Sequence, residues 1–174
     1  MVVREEAPAP VPVEELKAFL RIAGSEEDAL LAGLIRTATE LCESFTRIAL
    51  IEREVEEMLP ASAGWRRLGR APVRAVLEVR SVAADGSTAA LAVGDYAVDI
   101  DAGGCGWVRG NGGRLAVRYR AGQAADWNGI PEPLRHGTVR LAAHLYAQRE
   151  GGPGQAPPAA VSALWRPWRQ LRLA

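Results

Sequence analysis

The sequence predicts an α+β protein, mainly helical, with a β-rich insertion in its middle. Three observations carry this reading. Over residues 25–47, Leu30, Leu31, Leu34, Ile35, Ala38, Leu41, Cys42 and Phe45 recur at intervals of three and four, the mark of an amphipathic helix. From about 48 to 121 the pattern changes to short apolar runs bounded by Gly, Pro and Asp, the mark of strands and turns. Beyond Pro131 a helical stripe returns through Leu134, Thr138, Leu141, Leu145 and Tyr146.

Each element follows in order. Residues 1–12 read as a flexible or extended arm, because Pro8, Pro10 and Pro12 break regular structure. A short helix spans 14–22, with Leu16, Phe19 and Leu20 on one side and Gly24 as its C-cap. Ser25-Glu26-Glu27-Asp28 resembles a capping box for the long helix 25–47, with Asp28 where glutamate is usual. The polar face of that helix holds Glu26, Glu27, Arg36, Glu40, Glu43 and Arg47. In the insertion, 51–59 and 73–82 read as strands, and Asp85-Gly86 is a hairpin signal between 79–82 and 89–91. Residues 95–100 alternate, 105–108 form a short strand, and Asn111-Gly112-Gly113 turns the chain into 115–119. A helix over 132–149 has Pro131 or Pro133 in its first turn, where a missing N–H is harmless. Residues 13–150 thus form a single domain. Residues 151–174 are a Gly/Pro linker and a tail, in which Pro157-Pro158 opens a last helix that Pro167 kinks or ends.

Composition narrows the function. A chain of 174 residues holds one domain and buries roughly 70% of its unfolded surface without a covalent staple. Cys42 and Cys105 form no C-x-x-C pair, which speaks against a disulfide framework or a zinc site and suits a reducing cytoplasm. Met1 to Pro12 lacks the apolar region of a signal peptide. No apolar run approaches the ~18 residues of a membrane span, so no membrane partner is expected. The net charge is zero, yet residues 1–60 hold 6 basic and 13 acidic residues while residues 61–174 hold 15 and 8. Either this is a pair of solvated faces, or an acidic face of one copy meets a basic face of the next, as in a head-to-tail ring.

No catalytic constellation emerges. His136 and His144 lie eight apart on one helix, two turns from each other and too far to share an ion. Asp99 and Asp101 share a strand face beside Ala102-Gly103-Gly104, where solvated hairpin carboxylates are common. The glycine clusters at 103–106 and 110–113 match no phosphate-binding motif and lead into no helix. Cys42 lies on the apolar stripe of its helix and reads as core. The chain is read as a non-enzyme without metal or cofactor.

Two surfaces point to partners. Arg66, Arg67, Arg70, Arg74 and Arg80 cluster, and Arg114, Arg118 and Arg120 alternate around Tyr119. This Arg-rich β region supports an alternative reading as a small nucleic-acid-binding protein. A pI near 6.8 argues against it. The second surface is the tail, Leu164-Trp165-Arg166-Pro167-Trp168-Arg169-Gln170-Leu171-Arg172, which holds two of the chain's five tryptophans. Trp and Arg dominate protein–protein hot spots, so the tail reads as a docking segment. All basic residues but Lys17 are arginines, a bias that weakens any argument from arginine alone. The competing reading of the tail is that its tryptophans pack on the protein's own helices.

The layout resembles the tailed-phage head–tail connector (adaptor) family, found in siphophage-like particles, prophages and gene transfer agents. Ser25-Glu26-Glu27-Asp28-Ala29-Leu30-Leu31 is similar to the family's early helix start, and Glu43-Ser44-Phe45-Thr46 to that helix's end. Arg70-Ala71-Pro72-Val73-Arg74-Ala75-Val76 is similar to its "R-x-P-V-x-x-V" strand, followed by Asp85-Gly86. Asp95-Tyr96-Ala97-Val98-Asp99, Val117-Arg118-Tyr119-Arg120-Ala121-Gly122 and Ile130-Pro131-Glu132-Pro133-Leu134 also fit. The tail resembles the closing "L-L-x-P-[YW]-R", with Trp165 where leucine is frequent. Residues 48–68 carry no family motif.

The resemblance implies a structural protein. Such adaptors form a homo-oligomeric ring, typically of 12 copies, under the portal of a DNA-filled head. They offer the tail or a stopper protein a place to attach, and DNA passes through the lumen without specific binding. On this reading the chain is made in the cytoplasm and ends at the head–tail joint. Leu164, Trp165, Trp168 and Leu171 would fill apolar pockets of the portal, around Pro167, with Arg166 and Arg169 on its carboxylates. Glu40 and Glu43 would face the neighbouring subunit or the lumen.

Overall fold

The computed structural model describes residues 3–5, 12–148 and 158–170. The chain divides into two compact units: residues 1–8 with 51–125, and residues 9–50 with 126–174. The first holds the strands and the second the helices. The protein is α+β but not mainly helical, with 38% helix and 34% strand among the described residues. The β-rich insertion supplies five strands of a six-stranded sheet, the two longest of 15 and 16 residues.

In the helical unit, α1 (Val13–Leu20) buries Leu16 completely. It stops before Gly24, because Arg21 itself turns left-handed at φ 60°. The long α2 (Asp28–Thr46) buries Leu31, Ile35, Ala38 and Cys42 at spacings of four, three and four. Its start differs from the expected capping box: no side chain caps it, and Asp28 instead takes the Lys17 ammonium at 3.0 Å. Leu30 and Leu41, counted in the stripe by period, are 42% and 39% exposed and lie outside the core. The helix closes at Arg47, left-handed at φ 62°, whose N–H donates to the Glu43 carbonyl at 2.7 Å. Next, α3 (Glu132–Ala147) begins at Pro131 with Pro133 in its first turn, and buries Leu134, Thr138, Leu141 and Ala142. Finally, α4 (Ala159–Trp165) runs into a 3-10 turn, Arg166–Trp168, where Pro167 ends the α-helix.

The sheet unit is antiparallel throughout, in the order β1 (Val3–Glu5), β2 (Arg53–Arg67), β6 (Gly106–Ala121), β3 (Val73–Val82), β4 (Thr88–Ala90). The fifth strand, β5 (Tyr96–Ile100), pairs with the first half of β6. Part of the arm is therefore a strand, β1, paired with Val55 to Glu57. Period-two alternation sends Val55, Leu59, Val117, Tyr119 and Ala121 into the core with Leu68, Val73, Val79, Val108 and Leu115. Asp85-Gly86 does form the turn between β3 and β4. Asn111-Gly112-Gly113 does not form one. β6 runs straight through it, and a side chain at Gly110 would come within 3.3 Å of the Asp95 carbonyl on the β5 side. Glycine there permits close strand approach in place of a reversal.

The charge split along the sequence disappears on folding. The sheet unit carries 11 basic and 11 acidic residues, and the helical unit 10 and 10. The net charges of the units therefore give no acid-on-base contrast between them.

Candidate docking site

The C-terminal segment is anchored in the helical unit mainly by the Trp165 ring. Trp165 is only 1% exposed. Its indole lies in a slot on α3 opened by Gly137, where a Cβ would fall 2.2 Å from Trp165 Nε1. The Phe45 ring of α2 packs on it at 5.9 Å between centroids, tilted by 51°. Val161, one α-turn earlier, is buried beside it in α4. Past the 3-10 turn, the Gln170 N–H donates to the Thr46 carbonyl at 2.9 Å, tying the segment to the end of α2. Arg169 lies 5.6 Å over the Phe45 ring, a cation–π contact.

The seven residues expected to dock therefore separate. Trp165 is internal. Arg166, Pro167 and Arg169 are exposed, and Leu164 and Trp168 are half-buried. Leu171 lies outside the described residues. What α4 offers outward is the strip Arg166-Pro167-Trp168-Arg169, with the Trp165 slot as its fixed root.

The acidic pair on α2 separates as well. Glu40 is exposed. Glu43 is 7% exposed, and its Oε1 accepts the Leu50 N–H at 2.8 Å. It closes the buried reversal Ile48-Ala49-Leu50, leaving Glu40 as the surface carboxylate of the two. Sequence periodicity placed both on the polar face, and nothing in the local pattern announces the Leu50 contact.

Three arginines of the Arg-rich strands are matched by glutamates. Arg118 meets Glu54 at 3.8 Å and Glu78 at 3.5 Å, and Arg120 meets Glu52 at 3.5 Å. Arg80 pairs with Glu56. Arg74 donates to the Gly122 and Gln123 carbonyls. Cross-strand pairing of opposite charges is how an antiparallel face stabilises itself. It also offsets part of the positive charge that a phosphate-tracking surface would use.

The titratable groups show structural roles. Burial pushes the Cys42 thiol up to about 12, so it remains protonated in the core. Burial, then the Glu57 carboxylate, raises the Tyr119 hydroxyl. Glu57 is 1% exposed and accepts the Tyr119 hydroxyl at 2.9 Å and the Gly69 N–H at 2.7 Å. The Arg70 N–H donates to the same Tyr119 oxygen at 3.2 Å, so this buried carboxylate pins the loop between β2 and β3. Asp101 accepts N–H donors from Cys105, Trp107 and Gly103, which hold it below the usual carboxylate range. It caps a turn. Among the described residues no group of His, Cys, Asp or Glu is placed to hold a metal ion.

Comparison with known proteins fits this picture. Residues 11–80 match a family model described as phage gp6-like head-tail connector protein. Over the whole chain, the fold is similar to a chain in the neck of an empty gene transfer agent particle computed with C6 symmetry. That match has a TM-score of 0.83 and 28% identity, covering 100% of this chain and 98% of the other. The chain thus resembles phage head–tail connector proteins in sequence over residues 11–80 and a gene transfer agent neck chain in fold. Two further matches, each at 28% identity and the same coverage, come from a native gene transfer agent virion (TM-score 0.80) and from a native neck computed with C12 symmetry (0.75). No curated protein matches the sequence. No helix among the described residues is long and apolar enough to cross a membrane.

Proposed function

We propose that this chain is a head–tail adaptor of a phage-like particle, assembled as a ring, of 12 copies, under the portal. It joins the DNA-filled head to a stopper or tail protein and leaves a passage for DNA. The observation that carries this is the end-to-end similarity, at 28% identity, to a chain of a gene transfer agent neck. Symmetric copies in the neck of that particle support the ring.

The portal contact is assigned to the outward strip Arg166-Pro167-Trp168-Arg169, extended by Leu164 and Leu171. Trp165 serves it from within by fixing the strip on α2 and α3. Glu40, exposed on α2, faces a neighbouring subunit or the lumen, where a carboxylate repels DNA and keeps it from sticking. The function is mechanical and electrostatic, with no chemical step.

The test is deletion of the coding gene in a producing strain, followed by electron microscopy of the particles. The account expects full or leaking heads without tails, and tailed particles again when the gene is restored. Normal tailed particles from the deletion strain refute the adaptor function.

A further inference from the structure

Trp65 and Trp107 gather on one face of the sheet unit. Trp107 and Arg109 alternate on β6 and pair directly with Asp99 and Ala97 of β5. Trp65, on β2, is 44% exposed, and the Arg109 guanidinium lies 4.8 Å over its ring. Trp65, Asp99 and Trp107 line an open recess of about 260 Å³. A second recess, of about 240 Å³, runs past Ala63, Ala97, Arg109 and Asn111.

The two halves of β6 differ in how their charges are met. In the second half, Arg118 and Arg120 both find glutamates, as does Arg80 across on β3. In the first half, Arg109 has no carboxylate partner among the described residues, and its contact is the Trp65 ring. Asp99, in the recess, likewise has no hydrogen-bond or ion-pair partner among them. The sheet thus pairs Arg80, Arg118 and Arg120 with glutamates at one end, though not Arg114. At the other it leaves a cation and a carboxylate open beside two tryptophans. Exposed Trp with stacked Arg is the composition of an interface hot spot, and the open guanidinium selects a carboxylate as its partner.

We propose that this face docks a segment of the tail-side protein, one that presents a carboxylate to Arg109 and an apolar side chain to the Trp65–Trp107 recess. The proposal rests on the adaptor reading. An adaptor needs one contact toward the head and another toward the tail, and the C-terminal strip is assigned to the first. Asp99 then receives an N–H from the incoming segment, which fixes its register. A second copy of this chain is the competing occupant, and the test separates the two.

The experiment restores the gene in a deletion strain as Trp65→Ala or as Arg109→Glu. Purified heads are probed with an antibody to this chain and imaged. The expected result is heads that carry the chain at the wild-type level but at least tenfold fewer tails, for both variants. Both side chains are outward, so the purified variants should melt with the wild type. Fully tailed particles with both variants overturn the proposal. Heads that have lost the chain overturn it too, since the face then serves the ring or the portal. Failure of the adaptor reading itself looks different: the wild-type chain is then missing from purified particles.

Discussion

The C-terminal strip and the Trp65–Trp107 face are made of the same residue types, yet only the strip hides one of its rings. Trp165 is buried because Gly137 on α3 leaves a slot for it and Phe45 closes that slot. Trp65 has no such slot and stays 44% exposed under Arg109. Composition therefore does not separate an internal anchor from an outward one. What separates them is whether the neighbouring element provides a space without a side chain. The strip proposed to dock is fixed by a core residue, and the sheet face proposed to dock is carried on a strand ladder.

The largest effect should come from filling or emptying the slot. Trp165→Ala should cost about 3–5 kcal/mol of stability, as buried Trp truncations do, measured by urea denaturation. Gly137→Ala drives a methyl into the indole and should destabilise by at least ~1–3 kcal/mol. If Trp165→Ala leaves stability unchanged, the distinction between the two regions breaks. Next comes the buried carboxylate of the sheet unit. Glu57→Ala strips the acceptor from the Tyr119 hydroxyl and the Gly69 N–H, and each orphaned buried donor costs about 1–3 kcal/mol. Denaturation of Glu57→Ala beside Tyr119→Phe measures how much of that loss the pair shares.

Trp168→Ala sharpens the contrast within the strip. It should change stability by under ~1 kcal/mol while weakening portal binding by about 2–4 kcal/mol per copy, read by co-sedimentation with purified portal. Equal portal binding by the variant removes Trp168 from the contact. Acid has the smallest effect. Asp101 is held below the ordinary carboxylate range by N–H donors, so its stabilising contribution is complete above about pH 4 and is lost as pH falls through its lowered value. Asp101→Asn should flatten that part of an acid melting profile. An unchanged profile contradicts the capping role.

Much of this architecture was legible in the chain. The α2 period, the Pro131–Pro133 helix start, the β3 strand and the Asp85-Gly86 turn are each set by neighbours within a few residues. The misses share a cause in long-range contacts. Arg21 and Arg47 end helices in left-handed conformations that a glycine rule does not foresee. Asp28 turns from a cap to Lys17. Gly110 reads as part of a turn, but β5 approaches there and β6 continues. The −7 and +7 halves of the sequence vanish because the helical unit is assembled from both ends of the chain. At the candidate site, the Trp/Arg composition singled out the C-terminal segment. Only packing revealed that Trp165 and Glu43 face inward, leaving Trp168 and Glu40 at the surface.

The most direct test of the adaptor account is a reconstruction of the neck in particles from a producing strain, by electron cryomicroscopy. The account predicts a ring of 12 copies of this fold against the portal. In each copy Arg166, Trp168 and Arg169 contact the portal, and Trp165 remains in its Gly137 slot. Particles whose neck lacks this chain, or a ring whose C-terminal strips face solvent, would contradict it.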